Sequence, residues 1–334
     1  MAYIAINFNK FLTAMTSNST TTPLEQLRGA KKNSIAVVAH DAGAARLLFS
    51  WLKEFEDELV FCVDGPAKKI LDSQRFSYCQ EHNLEKCIAN SEIVISGTGW
   101  ASNLEFESRL LAKKYRIRSI AVIDHWVEYS KRFERNSITV LPDEIWVSDE
   151  VAFNLASKKF PKAIIHQLPN EWMEELKIQV TQWRKGEATN RRAITTSRLL
   201  YLSEPIRDRT TGEPNGEELN ALDYWLQCLP KLIEKGVIKC EEKKPELFLR
   251  LHPSEKQHKY DDWINKNKAD WEVSIVNHQD LAESLAKCDV AFGCETQALV
   301  AAVACEIPVF STVLPLNLPC RLPHKEIKVI AEMI

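Results

Sequence analysis

Short, unbroken apolar runs recur along this chain, each stopping at a polar or glycine-containing break and most followed by a segment with helical spacing. Residues 35–40 form such a run, which breaks at His40-Asp41-Ala42-Gly43. Leu47, Leu48, Trp51, Leu52 and Phe55 then recur at helical spacing. Runs at 59–64, 93–96, 120–125, 144–148 and 164–168 follow the same plan. A strand apolar at every position is buried on both faces, which is the mark of a parallel sheet covered by helices. Alternation of such strands with helices predicts a doubly wound α/β fold.

The pattern restarts at 199–202 and continues through 247–251, 273–276, 290–292 and 309–310. At 334 residues the chain is long enough for two domains of ordinary size. The expected architecture is therefore α/β, with two Rossmann-like parallel-sheet domains facing across a cleft. The expected division is a mobile N-terminal segment at 1–32, a first domain at 33–170, a linker at 171–192, a second domain at 193–313 and a tail at 314–334. The loop at 207–216, with two glycines and a proline, is expected to be mobile.

Composition narrows the function classes. A formal net charge of -3 gives no global basic surface for nucleic acid. No apolar run approaches the ~18 residues of a membrane span, so the expected location is the cytoplasm, with attachment at the inner face of the membrane left open. Nine cysteines scattered through apolar segments, without Cys-x-x-Cys spacing, read as reduced core residues rather than disulfides or a zinc site. No cofactor is expected. No Asp-x-Asp occurs to hold a metal-bridged diphosphate, so no metal is expected either.

Chemistry is sought where strands end, because parallel sheets bind ligands beyond the carboxyl ends of their strands. In the second half, residues 247–251 run into His252-Pro253-Ser254. The proline holds His252 in an extended backbone, where its imidazole can meet a phosphate, although a strand-end histidine bonded to backbone fits the sequence too. Gly293, Glu295, Thr296 and Gln297 lead into a helix whose first N–H groups and Thr296 hydroxyl suit an anion; Thr296 as a plain N-cap is the alternative. Glu295 is read as a partner for a sugar hydroxyl, and Ser203 ends the neighbouring strand. In the first half, Asp41 is the candidate base, with His40 as orienter or competitor; capping the next helix is the bland reading. Gly97, Thr98, Asp124, His125 and Trp126 are candidate acceptor contacts. Gly97-Thr98-Gly99 is two thirds of a dinucleotide fingerprint, but Ser102 stands where the third glycine belongs.

The segment 249–253, then 289–299 with Gly293-Cys294-Glu295-Thr296, then 307–310, resembles the nucleotide-binding half of GT-B glycosyltransferases. The His252-Pro253 pair is similar to that of bacterial sialyl-, polysialyl- and Kdo-transferases that use CMP-activated sugars. It also resembles the polyol-phosphate transferases of teichoic acid synthesis. The resemblance covers the second half and implies a glycosyltransferase of polysaccharide biosynthesis, inverting and metal-independent. It implies a nucleotide-sugar donor, with CMP-sugar one candidate, and a saccharide or lipid-linked acceptor. His252 and Thr296 would then contact the donor phosphate. Cys294-Glu295 departs from the small or hydroxyl residues expected there.

Two other readings stay open: a sugar-nucleotide epimerase or hydrolase on the same fold, and a non-catalytic two-domain binding protein. Glycine is scarce, 10 in the chain, and tight phosphate loops commonly use it.

Overall fold

A computed structural model describes residues 22–74, 79–188, 197–206, 215–240, 244–276, 280–317 and 319–334. Most of the segment expected to be mobile at the N-terminus, and residues 207–214 of the expected mobile loop, lie outside these. The chain begins with β1 (Ile35–Ala39), α1 (Ala42–Leu52), β2 (Leu59–Val63), α2 (Gly65–Ser73) and β3 (Cys79–Gln80). It continues with α3 (Leu84–Ala89), β4 (Ile93–Ser96), α4 (Leu104–Tyr115) and β5 (Arg118–Ile123). A small antiparallel hairpin follows, β6 (Glu134–Arg135) and β7 (Ile138–Thr139), then β8 (Glu144–Val147), α5 (Glu150–Lys159) and β9 (Ile164–Gln167).

These strands, the hairpin apart, form a parallel seven-stranded sheet in the order β3-β2-β1-β4-β5-β8-β9. Its centre is the apolar set expected from the sequence: Ile35, Val37, Ile95, Val122 and Trp146 are all fully buried. The order reverses between β1 and β4. The loops after those two strands therefore part to opposite sides and leave a crevice between them.

The second sheet takes β10 (Arg198–Leu202), β11 (Glu246–Arg250), β12 (Val273–Ile275), β13 (Val290–Gly293), β14 (Val309–Ser311) and β15 (Ile327–Val329), with helices α7 (Glu217–Glu234), α8 (Asp261–Asn267), α9 (Leu281–Lys287) and α10 (Gln297–Ala304). Its order is β12-β11-β10-β13-β14-β15, all parallel, reversing between β10 and β13. Tyr201, Trp225, Phe292 and Phe310 stack in sequence through its core at centroid spacings of 5.0, 5.6 and 5.5 Å.

Three segments differ from expectation. The stretch expected as a linker is an 18-residue helix, α6 (Glu171–Ala188), which packs on both α1 and α9. Met173, Leu176 and Val180, three and four residues apart, make its buried stripe. Each such side chain is worth roughly 1.5–3 kcal/mol of burial, enough to make the charged stretch a packed element. Ile327–Val329, in the expected tail, completes the second sheet, because Ile327 and Val329 turn inward and Lys328 outward. Leu27, in the segment set aside as mobile, is fully buried against the first core.

Gly293 ends β13 so close to β10 that an added β-carbon would lie 2.7 Å from the Leu202 carbonyl oxygen. Both partners are backbone, so neither can swing aside. Gly293→Ala is expected to destabilise the fold by about 1–3 kcal/mol. An unchanged denaturation midpoint would show that the two strands are not held at this spacing.

Candidate functional site

Strand-end loops of both sheets line one cavity of about 250 Å³. The first sheet contributes Asp41 and Arg46 around the start of α1, and Asp124 with His125 after β5. The second contributes Ser203 and Glu204 after β10, Arg250, His252, Pro253 and Ser254 around the end of β11, and Thr296 with Gln297 at the start of α10. A neighbouring cavity of about 320 Å³ shares Trp100, Arg132, Glu204 and Pro205 with it and is lined also by Glu128, Glu295 and Arg321.

Asp41 occupies the N-cap position of α1 but makes no capping bond. Its carboxylate is instead 2.9 Å from His40 Nδ1. Burial alone would raise the Asp41 carboxyl, but the His40 hydrogen bond and the charges of His40, Arg132 and His252 overrule it and hold it below its ordinary value. The same hydrogen bond raises His40. The pair is therefore a carboxylate with a proton-holding partner, as a general base requires. His40 faces away from the main cavity, toward an outer groove with Gly65 and Lys69.

Behind this pair lies Glu105, only 1% exposed. It accepts from His40 N–H at 2.9 Å and from Gly99 N–H. Burial first and the Asp41 charge second push its carboxyl up to about 7. β-Carbons at Gly97 and Gly99 would overlap the Glu105 and Asp41 carboxyl groups, and one at Gly43 would overlap that of Asp124. The Gly97-Thr98-Gly99 turn is thus shaped around buried carboxyl groups. Thr98 itself is fully buried and donates to the Val122 carbonyl at 3.0 Å; neither Gly97 nor Thr98 lines the cavity.

Asp124 is 3.3 Å from Arg132 Nη1, and its backbone oxygen accepts from Gln297 Nε2 at 3.0 Å. His125 Nδ1 accepts from Trp126 N–H at 3.0 Å, so the ring proton sits on Nε2, which donates to the Glu295 carbonyl at 3.1 Å. With both nitrogens engaged, His125 joins the end of β5 to the loop after β13. Trp126 is buried, donates to Asp149 at 2.9 Å and packs edge-on against His324. Its ring is enclosed by protein and, unlike Asp124 and His125, does not line the cavity.

On the second sheet, His252 Nδ1 is 2.7 Å from Ser254 Oγ and accepts from Ser254 N–H at 3.2 Å. Nε2 then carries the proton and has no protein partner among the described residues. Burial lowers the His252 pKa, although Glu255 and Asp41 work against that, so near neutral pH it offers an N–H rather than a full charge. Ser203 Oγ donates to Glu255 and accepts from His252 N–H at 3.1 Å, fixing the loop. Thr296 caps α10 by accepting from Ala298 N–H at 3.3 Å and still lines the cavity, so the capping and binding readings coexist. Gly293 serves strand spacing and lies outside the cavity. Glu295 is bound by Arg321 through N–H, Nε and Nη2 and lines the neighbouring cavity rather than this one.

Arg46, Glu105, Glu204, Arg250 and Arg321 escaped the sequence reading. Burial pushes the Glu204 carboxyl up to about 7, and it accepts from Glu295 N–H. Arg46 stacks on Trp172 at 5.3 Å. Burial first and the Arg250 charge second bring Arg46 down to about 10. Among the described residues no group of three or more His, Cys, Asp or Glu side chains is arranged to hold a metal ion.

Burial first and the Arg132 charge second pull His125 down to about 3. The unfolded chain protonates it near 6.5, so between pH 6.5 and 3 the unfolded state binds more protons and stability is lost as pH falls. His125→Asn is expected to remove part of this acid-side loss, on the order of a few kcal/mol. NMR ring signals from His125 titrating near pH 6.5 would refute the assignment.

No family model matches the chain, and no curated protein matches it by sequence. Solved structures match it in fold. The UDP-GlcNAc 2-epimerase of Methanocaldococcus jannaschii superposes with a TM-score of 0.51 at 12% identity, over 83% of this chain and 83% of that one. A Listeria monocytogenes chain assigned provisionally as a UDP-N-acetylglucosamine 2-epimerase gives 0.53 at 14% identity, over 84% and 79%. The wall teichoic acid polymerase TagF gives 0.49 at 10% identity, over 86% and 72%. At these identities the likeness is one of fold, that of GT-B glycosyltransferase-type proteins.

Proposed function

We propose that the chain is a glycosyltransferase that moves a sugar from a nucleotide-activated donor to a saccharide or lipid-linked acceptor. One observation carries the reading: Asp41, backed by His40, and His252, backed by Ser254, open on the same cavity from two different parallel sheets. In this reading residues 33–170 form an acceptor lobe and 193–313 a donor lobe, with the cavity as the cleft between them. α6 is then a packed strut where a linker was expected. His252 Nε2–H, Ser254 and the first N–H groups of α10 hold the donor phosphate. Asp41 takes the acceptor hydroxyl proton as the new C–O bond forms at the anomeric carbon. The bond to the phosphate oxygen breaks on the opposite side, its electron pair stabilised by the same donors, so the configuration inverts. Gln297, bonded to the Asp124 carbonyl, ties donor and acceptor sides together. The His252-Pro253 resemblance favours a CMP-sugar donor and polysaccharide biosynthesis. The proposed location is the cytoplasm, and a lipid-linked acceptor would bring the protein to the inner face of the membrane. No helix among the described residues is long and apolar enough to cross one.

A sugar-nucleotide epimerase or hydrolase is the second reading. Asp41, Asp124 and Glu204 surround one cavity, and a carboxyl group held near 7, as Glu204 is, suits acid–base work at neutral pH. Incubation of donor alone separates the two: an altered or freed sugar without acceptor selects the second reading.

Asp41→Asn is expected to lower kcat by roughly 10²–10⁴ while leaving nucleotide affinity nearly unchanged. His252→Ala is expected to weaken binding of the preferred nucleotide, among CMP, CDP, UDP and GDP, by about tenfold. Full activity in Asp41→Asn, or equal binding of every nucleotide by wild type and His252→Ala, would overturn the assignment.

A further inference from the structure

Arg46 enters the cavity from the face of α1 that also presents Ala42 and Gly43, one helical turn earlier. Its guanidinium lies over the Trp172 ring at 5.3 Å, and Trp172 lines the wall too. Among the described residues that guanidinium donates no hydrogen bond and makes no ion pair. Of the charges that act on Arg46, Arg250 opposes its own and Asp124 favours it. Asp124 is already held by Arg132 at 3.3 Å. Asp41 is held by His40, and the Glu204 carboxyl accepts from the Glu295 N–H. Arg250 differs from Arg46: it is bonded to Ser284 Oγ at 3.1 Å and faces Asp280 and Glu283. A half-buried guanidinium without an acceptor works against the fold, and an apolar side chain at the same place on the wall would not. Its use therefore lies in what enters the cavity.

Arg46 belongs to the side of the cavity built by the first sheet, and its Cα lies roughly 7–8 Å along the α1 axis from that of Asp41. In the proposed reaction the donor phosphate is held from the other side, by His252, Ser254 and the start of α10 on the second sheet. A guanidinium presents paired N–H donors in one plane, which match two oxygens of a carboxylate or a phosphoryl group, whereas neutral hydroxyls do not offset its charge. We propose that Arg46 is a specificity-determining residue that receives an acidic group of the acceptor, a carboxylate or a phosphoryl group on, or next to, the sugar whose hydroxyl meets Asp41. The acceptor is then an acidic saccharide. This rests on the sugar-transfer reading and names the acceptor class within it.

The test titrates glucose, glucuronate and glucose 6-phosphate by calorimetry against protein saturated with its preferred nucleotide among CMP, CDP, UDP and GDP. Glucuronate or glucose 6-phosphate is expected to bind about tenfold or more tightly than glucose, and the tighter of the two tells carboxylate from phosphoryl group. Arg46→Met, which keeps the contact with Trp172, is expected to bring acidic and neutral sugars within about threefold. The same variant is expected to bind the nucleotide as wild type does and to melt no lower, because an unpartnered charge has been removed. Arg46→Lys is expected to keep part of the preference, because a point charge replaces the fork. If wild type binds no acidic sugar, or binds it no better than glucose, while His252→Ala still weakens the nucleotide, the acceptor assignment is overturned and the sugar-transfer reading stands. A preference for acidic sugars that survives Arg46→Met also overturns it. So does a nucleotide affinity that falls in Arg46→Met, since Arg46 would then serve the donor. If no nucleotide binds and His252→Ala changes nothing, both fall together.

Discussion

Glu105 is a carboxyl group almost without solvent, and the two backbone N–H groups it accepts belong to the loops after β1 and β4. Those strands flank the point where the order of the first sheet reverses, so one side chain sets the opening of the crevice there. Every polar group nearby is positioned in relation to it. His40 is fixed through its own N–H, Asp41 through His40, and Arg109 lies alongside, bonded to Ser96 and Gly97. A buried carboxyl without such donors would cost several kcal/mol; with them it organises the site.

The same buried groups set opposite demands on pH. His125 is held neutral, and its contribution disappears as pH falls below about 6.5. Glu105 and Glu204, whose folded pKa values lie near 7, bind more protons folded than unfolded between about 4.5 and 7, so their contribution is lost as pH rises through that range. The fold therefore trades one strain for another across mildly acidic pH, with the charged pair Asp41 and His40 between them. A site able to keep two carboxyl groups partly protonated near neutrality, beside a third that is ionised, has the separated pKa values that acid–base chemistry uses.

The fold was legible because buried parallel strands are apolar at every position, and their ends are marked by abrupt polarity. The runs at 35–40, 247–251 and 290–292 foretell β1, β11 and β13 within a residue or so. The loops that meet were legible for the same reason: His252, Thr296 and Asp41 follow strand ends. What stayed hidden carries no local signature. Arg46 sits on an amphipathic helix, where an arginine usually faces water. Glu105 lies in the first turn of α4, where an acidic residue is favoured by the helix dipole and needs no further explanation. Arg321 lies between prolines in a stretch without periodicity, and its pairing with Glu295 spans 26 residues. Trp126, a candidate acceptor contact, is enclosed by protein, because an aromatic residue at a strand end can fill a core as well as meet a ligand, and only packing decides.

The chain is poor in glycine, yet Gly43, Gly65, Gly97 and Gly99 are all placed where a methyl group would collide with Asp124, His40, Glu105 or Asp41. These positions act as moulds: the missing atoms define the polar cluster as firmly as the atoms present. Anyone transplanting this arrangement onto another α/β scaffold would have to carry over four empty spaces along with the side chains, and a graft of the reactive residues alone would find no room to close.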